Sequence, residues 1–356
     1  MGPISVAAFS MSTMFIAVPT GVKILNWMAT MWGGKLRFTT PMLFSMGMVA
    51  MFTIGGLSGV THAVAPADTQ QTDTYYIVAH FHYVIFGGAL FAFLGGFYFW
   101  WPKVFGYTLG EGLGKWQFWL TLIGFNLTFG PMHILGLQGM PRRQFTYLDD
   151  YGFNFWNQVA TVGSFVIALA FLVFFYNLWK SWRAHKANPV DPGPDPWDAR
   201  SLEWMLQSPT PAHNFDTVPT VSHLDELWHR KYEEDEHGRV RRVRSSEEVA
   251  QPGDGTGVHL PSPSYWPLVM AFSLPLIGYG LIFNLGIAAV GGVIALLAGY
   301  AWGMEPADDP EAAHGHGHDD GGHDDGGHEA EGDDADDSDD GEPVAAASPT
   351  ETGEAE

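Results

Sequence analysis

His80 and His82 stand two residues apart in the stretch Asp73-Thr74-Tyr75-Tyr76-Ile77-Val78-Ala79-His80-Phe81-His82-Tyr83, at the start of a long apolar run. On a helix that turns about 100° per residue, positions i and i+2 point to nearly opposite faces. The pair is therefore badly placed to share one ion, as an i, i+4 pair does. It is well placed to serve two centres, one on each side of a helix, with Phe81 between them. A histidine inside a membrane-length segment is costly unless it binds something. Haem iron takes an axial imidazole, and haem is large and apolar enough to lie between membrane helices. The plainer reading is two buried histidines bonded to neighbouring helices.

Other polar groups interrupt apolar sequence. In Pro19-Thr20-Gly21-Val22-Lys23, Thr20 and Lys23 share a helix face at i, i+3, and Thr13 and Thr30 extend that stripe. A lysine within a span points to a proton route or a buried ion pair; from spacing alone, snorkelling to the nearer interface competes evenly. Pro19 should kink this helix. Asp68 and Asp73 lie in a loop without Lys or Arg, and Arg142-Arg143 close the run that carries Asn126 and His133. Adjacent guanidinium groups offer forked hydrogen bonds to carboxylates, with phospholipid headgroups as the alternative partner. A lone His133 is expected to be bonded within the bundle and is left unassigned.

The elements that position these residues are apolar runs long enough to cross a bilayer, at roughly 3–32, 41–63, 75–101, 116–138, 155–180, 265–284 and 286–303. They predict an all-α membrane bundle of about seven transmembrane helices. Gly55-Gly56-Leu57-Ser58-Gly59 and the repeat Gly88, Ala92, Gly96 read as small-residue stripes for close helix contact, and Trp100 and Trp101 sit at interfacial depth. The 356 residues carry a formal net charge of −22 and no cysteine. No disulfide framework is possible, nor can this chain supply cysteine ligands to a copper or iron–sulfur centre. Nothing in this composition points to a nucleic-acid partner. About half of the acidic residues follow Gly303, in a tail that alternates His-Gly with Asp-Asp-Gly-Gly-His. That tail is expected to be disordered; His314, His316, His318, His323 and His328 could hold Zn²⁺, Ni²⁺ or Cu²⁺ loosely. Residues 217–262, with clustered Arg239, Arg241, Arg242 and Arg244, read as a charged, solvated linker, with contact to the anionic leaflet or a partner as the alternative. Lysine and arginine placement predicts a multi-pass cell-membrane protein with the N-terminus outside and the C-terminal tail cytoplasmic.

The segment Tyr75–Tyr83 resembles helix X of subunit I of the haem–copper oxidases. The resemblance implies that His80 ligates the high-spin haem of the oxygen-reducing centre and His82 the low-spin haem. Pro19–Lys23 is similar to helix VIII, which makes Thr20 and Lys23 a proton path to that centre. Met140-Pro141-Arg142-Arg143 matches the family's Pro-Arg-Arg, which holds propionates of both haems; those anions would explain two arginines on the predicted outer side. Asp68 and Asp73 match acids near the propionates and a nonredox Mg²⁺/Mn²⁺ site, although Thr72 stands where the cytochrome c oxidases usually have a histidine ligand. The two acids are otherwise plain loop residues.

The resemblance covers roughly residues 1–216, the C-terminal half of the family's subunit (helices VIII–XII). It divides the chain into residues 1–182 as a five-helix core, 183–263 as a cytoplasmic tail and linker, 264–303 as a two-helix hairpin similar to a small accessory subunit, and 304–356 as the tail. It implies two haems of A-type or a related kind, a copper centre completed elsewhere, and a possible Mg²⁺ or Mn²⁺. The copper-ligating histidines, their crosslinked tyrosine and the second axial histidine of the low-spin haem have no counterpart in this sequence. The implied partners are therefore subunit II, a chain supplying the N-terminal half, membrane lipid, and an electron donor that is a cytochrome, a copper protein or a quinol. Two other classes fit less of the pattern. A non-catalytic structural or assembly fragment would bind no haem, and a proton-coupled transporter would explain Lys23 but not the opposed histidines.

Overall fold

A computed structural model describes residues 2–251 and 263–305. The His/Asp-rich tail from residue 306 and the stretch 252–262 lie outside the described residues. The chain divides into two units, 1–258 and 259–356.

In the first unit, α1 (Pro3–Met31) runs unbroken through Pro19 and leads to α2 (Thr40–Ala63). A short loop helix, α3 (Ala65–Gln71), precedes α4 (Tyr75–Val84), which is capped by the Thr74 hydroxyl accepting from the Tyr76 N–H. A π-helical turn at Ile85–Leu90 joins α4 to α5 (Phe91–Phe105), making one span of 31 residues. Gly106, at φ 73°, ends it in the left-handed conformation that favours glycine. Then follow α6 (Glu111–Leu137) and α7 (Asn154–Ala187). In the second unit, α10 (Trp266–Phe283) and α11 (Leu285–Gly303) form a hairpin capped at Asn284, where its side chain accepts from the Gly286 N–H. Among the described residues, seven helices or continuous helical segments are long and apolar enough to cross a membrane. The protein is an all-α, multi-pass membrane protein.

Helices in lipid gain little from the hydrophobic effect against one another, so close packing must hold them. The core is aromatic: Phe44, Phe91, Phe118 and Phe125 are fully or almost fully buried, and Tyr83 and Tyr98 lie among them. The expected stripe at Gly88, Ala92 and Gly96 holds at Gly88 and is corrected after it. Gly88 does pack against α2, at Phe52, but Ala92 is exposed and nothing approaches Gly96; Gly87, Phe91 and Gly95 carry the contact, with Gly87 against Met51 and Gly95 against Pro41 and Phe44.

A second correction concerns residues 217–251. They are not a solvated linker. With residues 195–216 they fold into a cap that includes α8 (Glu226–Lys231), the antiparallel pair β1 (Tyr232–Glu234) and β2 (Val240–Arg242), and α9 (Ser246–Val249). Trp204, Met205, Leu227 and Val249 form its core. The Lys231 ammonium, wholly buried, donates to Asp195 at 2.7 Å, to Asp198 at 2.8 Å and to the Ala199 carbonyl at 2.7 Å. The cap is fastened to α5 by Trp197 Nε1 donating to the Phe99 carbonyl and by Lys103, whose ammonium donates to the Leu206 carbonyl. The charge reading failed because these acids and this lysine are spent on one another inside the cap.

Burial alone would raise the Asp198 carboxyl, but the Lys231 ammonium and then the Tyr232 hydroxyl outweigh it and hold its pKa below the ordinary 3.8. A depressed carboxylate contributes stability above its unfolded value and loses it as pH falls through the folded one. Limited proteolysis of the cap is therefore expected to be slow at neutral pH and to accelerate only below the usual carboxylate range. At neutral pH, Lys231→Ala strands the buried Asp195 carboxylate and is expected to cost about 3–5 kcal/mol, seen as rapid cleavage between residues 217 and 251.

Candidate functional site

His80 sits on the side of α4 that faces α2. Its Nδ1 lies 2.9 Å from the Gly55 carbonyl and 2.9 Å from the Ser58 hydroxyl. A carbonyl only accepts, so Nδ1 carries the proton, and Nε2 is left as the lone-pair nitrogen. This is the arrangement that orients a metal-binding imidazole and raises its basicity. Glycine is required opposite it: a Cβ on Gly59 would stand 2.9 Å from His80 Cε1. A cavity of about 280 Å³ opens beside the ring, walled by His80, His62, Phe52, Gly56, Thr13 and Thr20 among others.

His82 is built the same way on the other side. Its Nδ1 donates to the Val78 carbonyl one turn back, at 2.7 Å. Its ring stacks on Phe129, centroid to centroid 4.1 Å at 14°. It opens into a separate, almost wholly apolar cavity of about 390 Å³ lined by Phe81, Ile85, Phe86, Ala89, Leu90 and Phe93. The two imidazoles thus serve two cavities with Phe81 between them, as an i, i+2 spacing requires.

The stripe on α1 divides. Thr13 and Thr20 line the His80 cavity, and the Thr20 hydroxyl also donates to the Ile16 carbonyl. Lys23 is exposed, and no hydrogen bond or ion pair reaches it among the described residues. Asp68, Asp73 and Arg142 gather at one end of the bundle. Arg142 Nε donates to Asp73 Oδ1 at 2.7 Å, a second guanidinium nitrogen reaches the same oxygen at 2.5 Å, and the Arg142 N–H donates to the Asp73 carbonyl. Asp73 and Arg143 both adopt positive φ, 59° and 68°, a conformation that non-glycine residues rarely hold without support. Arg143 is exposed. Asp68 lies 3.4 Å from His62. Among the described residues no three metal-ligating side chains come together, and Asp73 is held by Arg142.

Sequence reasoning missed Ser58, the Gly55 carbonyl, Phe129 and His62. A signal was there: Gly55, Ser58, Gly59 and His62 follow i, i+3, i+4, i+7, one helical stripe, and that stripe is what faces His80. His133 packs between Tyr76 and Tyr83 at ring separations of 5.1 and 5.3 Å.

A family model described as cytochrome c and quinol oxidase polypeptide I matches residues 1–166, the stretch that contains Lys23, His80, His82 and Arg142. Cytochrome c oxidase subunit 1 of Bacillus sp. strain PS3 is 46% identical over 286 residues, which is 80% of this chain and 44% of that relative. Quinol oxidase subunit 1 of Bacillus spizizenii is 41% identical over 81% of this chain and 42% of its own length. A probable cytochrome c oxidase subunit 1-alpha of Streptomyces coelicolor is 49% identical over 62% of this chain and 38% of its own. The chain belongs to the haem–copper oxidase subunit I family. It spans less than half the length of these relatives.

Two imidazoles with Nδ1 tied, Nε2 free of hydrogen bonds among the described residues, and each on the wall of its own cavity fit axial ligation of two haems. The prediction that follows is structural. Gly59→Ala is expected to push the His80 ring off Gly55 and Ser58, at about 1 kcal/mol per hydrogen bond lost. A lower thermal midpoint than Gly56→Ala, where nothing lies within 4 Å of the added methyl, would check it.

Proposed function

We propose that residues 1–216 form the C-terminal half of the catalytic subunit of a respiratory haem–copper oxidase, which reduces O₂ to water and translocates protons. The observation that carries this reading is the opposed pair of tethered imidazoles, each at its own cavity. His80 holds the high-spin haem and His82 the low-spin haem, and the haems, when bound, supply the electron transfer and the oxygen chemistry. Copper belongs to the same centre, with its ligands supplied by another stretch of polypeptide.

What this chain's residues do is more limited. The Nδ1 bonds to Gly55 and Val78 keep each imidazole in the tautomer that leaves Nε2 for iron. The apolar walls around His82 exclude water from that side. Thr20, on the wall of the His80 cavity, and Lys23, three residues further along the same face, form the path for protons. Arg142 and Arg143 would hold the haem propionates, and the Asp73 bond fixes Arg142 in direction. Asp68 lies near the same edge. A Mg²⁺ or Mn²⁺ ion at Asp73 would need further ligands from outside the described residues. Electrons arrive through subunit II from a cytochrome, a copper protein or a quinol; the relatives' names include both cytochrome c and quinol oxidases. In the cell membrane the N-terminus and the Asp73–Arg142 end face outward, and the cap is cytoplasmic.

Haem content and CO binding of the complex purified from membranes test the assignment. His80→Ala is expected to abolish the CO-binding haem and leave the other in place. His82→Ala is expected to remove the low-spin spectrum and spare CO binding. Two haems retained in both variants would refute the ligand roles.

A further inference from the structure

His62 is an imidazole in the His80 cavity that neither haem ligation nor the proton path uses. It lies in the last turn of α2, at the end of the bundle that carries Asp68, Asp73 and Arg142. Its side chain is 11% exposed, and among the described residues neither of its buried ring nitrogens has a hydrogen-bond partner. The Asp68 carboxylate comes to 3.4 Å of Nδ1 but not in hydrogen-bonding geometry. The His80 ring is 4.9 Å away and tilted by 58°, the Tyr76 ring is 5.4 Å away and edge-on, and neither hydrogen-bonds to His62. His62 also borders a second cavity of about 190 Å³ on the Asp68 side.

An imidazole always carries at least one N–H, and leaving it unmet in an enclosed place is unfavourable. The rest of the cavity wall offers little to receive it. Phe52, Val60 and Val84 are apolar, the Thr20 hydroxyl donates to its own helix, and the Thr13 hydroxyl, which borders both cavities, makes no hydrogen bond to His62. With Asp68 out of line at 3.4 Å, an aligned acceptor is what a group filling the space beside His80 would add. The position at the Arg142 end says which part of it: the edge that bears the anionic carboxylates.

We infer that His62 is a positioning residue, donating a ring N–H to a carboxylate on the edge of the haem that His80 ligates. This rests on the reading of His80 as a haem ligand. The bond fixes the rotation of the porphyrin about the His80 axis and draws charge from that carboxylate, which alters the potential of the iron without touching it.

The test compares the complex purified from membranes in wild type, His62→Leu, His62→Met and His62→Gln. Resonance Raman spectra report the propionate bending band, and redox titration reports the midpoint potential of the CO-binding haem. His62→Leu is expected to shift both while haem content stays at the wild-type level. His62→Met, which also lacks an N–H, is expected to do the same and carries the test if the leucine variant does not assemble. His62→Gln, which keeps a donor, is expected to stay near wild type. An unshifted band and potential in the donor-free variants, with haem fully bound, would overturn the role of His62 and leave His80 as it stands. Absence of haem from the wild-type complex would overturn both.

Discussion

Each imidazole of α4 is held by one hydrogen bond from Nδ1 to a backbone carbonyl, and the rest of the bundle is arranged to make those two bonds possible. For His82 the carbonyl is its own helix, at Val78, and the constraint is local. For His80 it belongs to Gly55 on α2, so two helices must approach to backbone distance. Only a face of small residues allows that. Gly55, Ser58 and Gly59 provide it, and a Cβ on Gly55 would stand 2.9 Å from the Tyr83 backbone. The π turn immediately after α4 belongs to the same solution. Gly87 within it and Gly95 on α5 continue the contact with α2.

The two ends of the bundle are chemically unlike. At one, the start of α4 is stitched to the loop after α6 by the Tyr75 N–H donating to the Met140 carbonyl, the Arg142 N–H donating to the Asp73 carbonyl, and the Arg142–Asp73 ion pair. Charge and backbone hydrogen bonds act on the same few residues, which is how Asp73 and Arg143 can hold positive φ. At the other end the cap closes on α5 through Trp197, Lys103 and an edge of aromatic rings, with Phe99 and Trp100 both against Trp204. Its buried Lys231–Asp195–Asp198 group is specific only while complete, since removing one partner leaves an uncompensated charge.

The spans and the opposed histidines were legible because both depend on periodicity and on the cost of polar groups in lipid. Seven apolar runs became seven spans, with ends moved by a few residues where polar turns such as Lys103–Phe105 and Ser181–Ala187 continue a helix beyond the bilayer. What was not legible depended on contacts distant in sequence. Residues 217–251 look solvated until Lys231 is placed against Asp195, 36 residues earlier. Gly88, Ala92 and Gly96 look like one contact stripe, yet only Gly88 packs closely, because the buried face runs through Gly87, Phe91 and Gly95. Gly55, Ser58, Gly59 and His62 carried a readable helical phase, but as small residues they suggested packing alone. Arg142 suggested propionates, and the fold shows that Asp73 already takes one side of its guanidinium.

The central claim is that the two cavities beside α4 each receive a haem. The most direct measurement is a reduced-minus-oxidised optical spectrum, with and without CO, on the complex purified gently from native membranes. The same sample is assayed for copper, and its polypeptides are sequenced. The account predicts two haems per copy of this chain, only one of which binds CO, together with copper and a polypeptide segment that carries the copper-ligating histidines. A complex without haem, or with one haem that binds no CO, would contradict it.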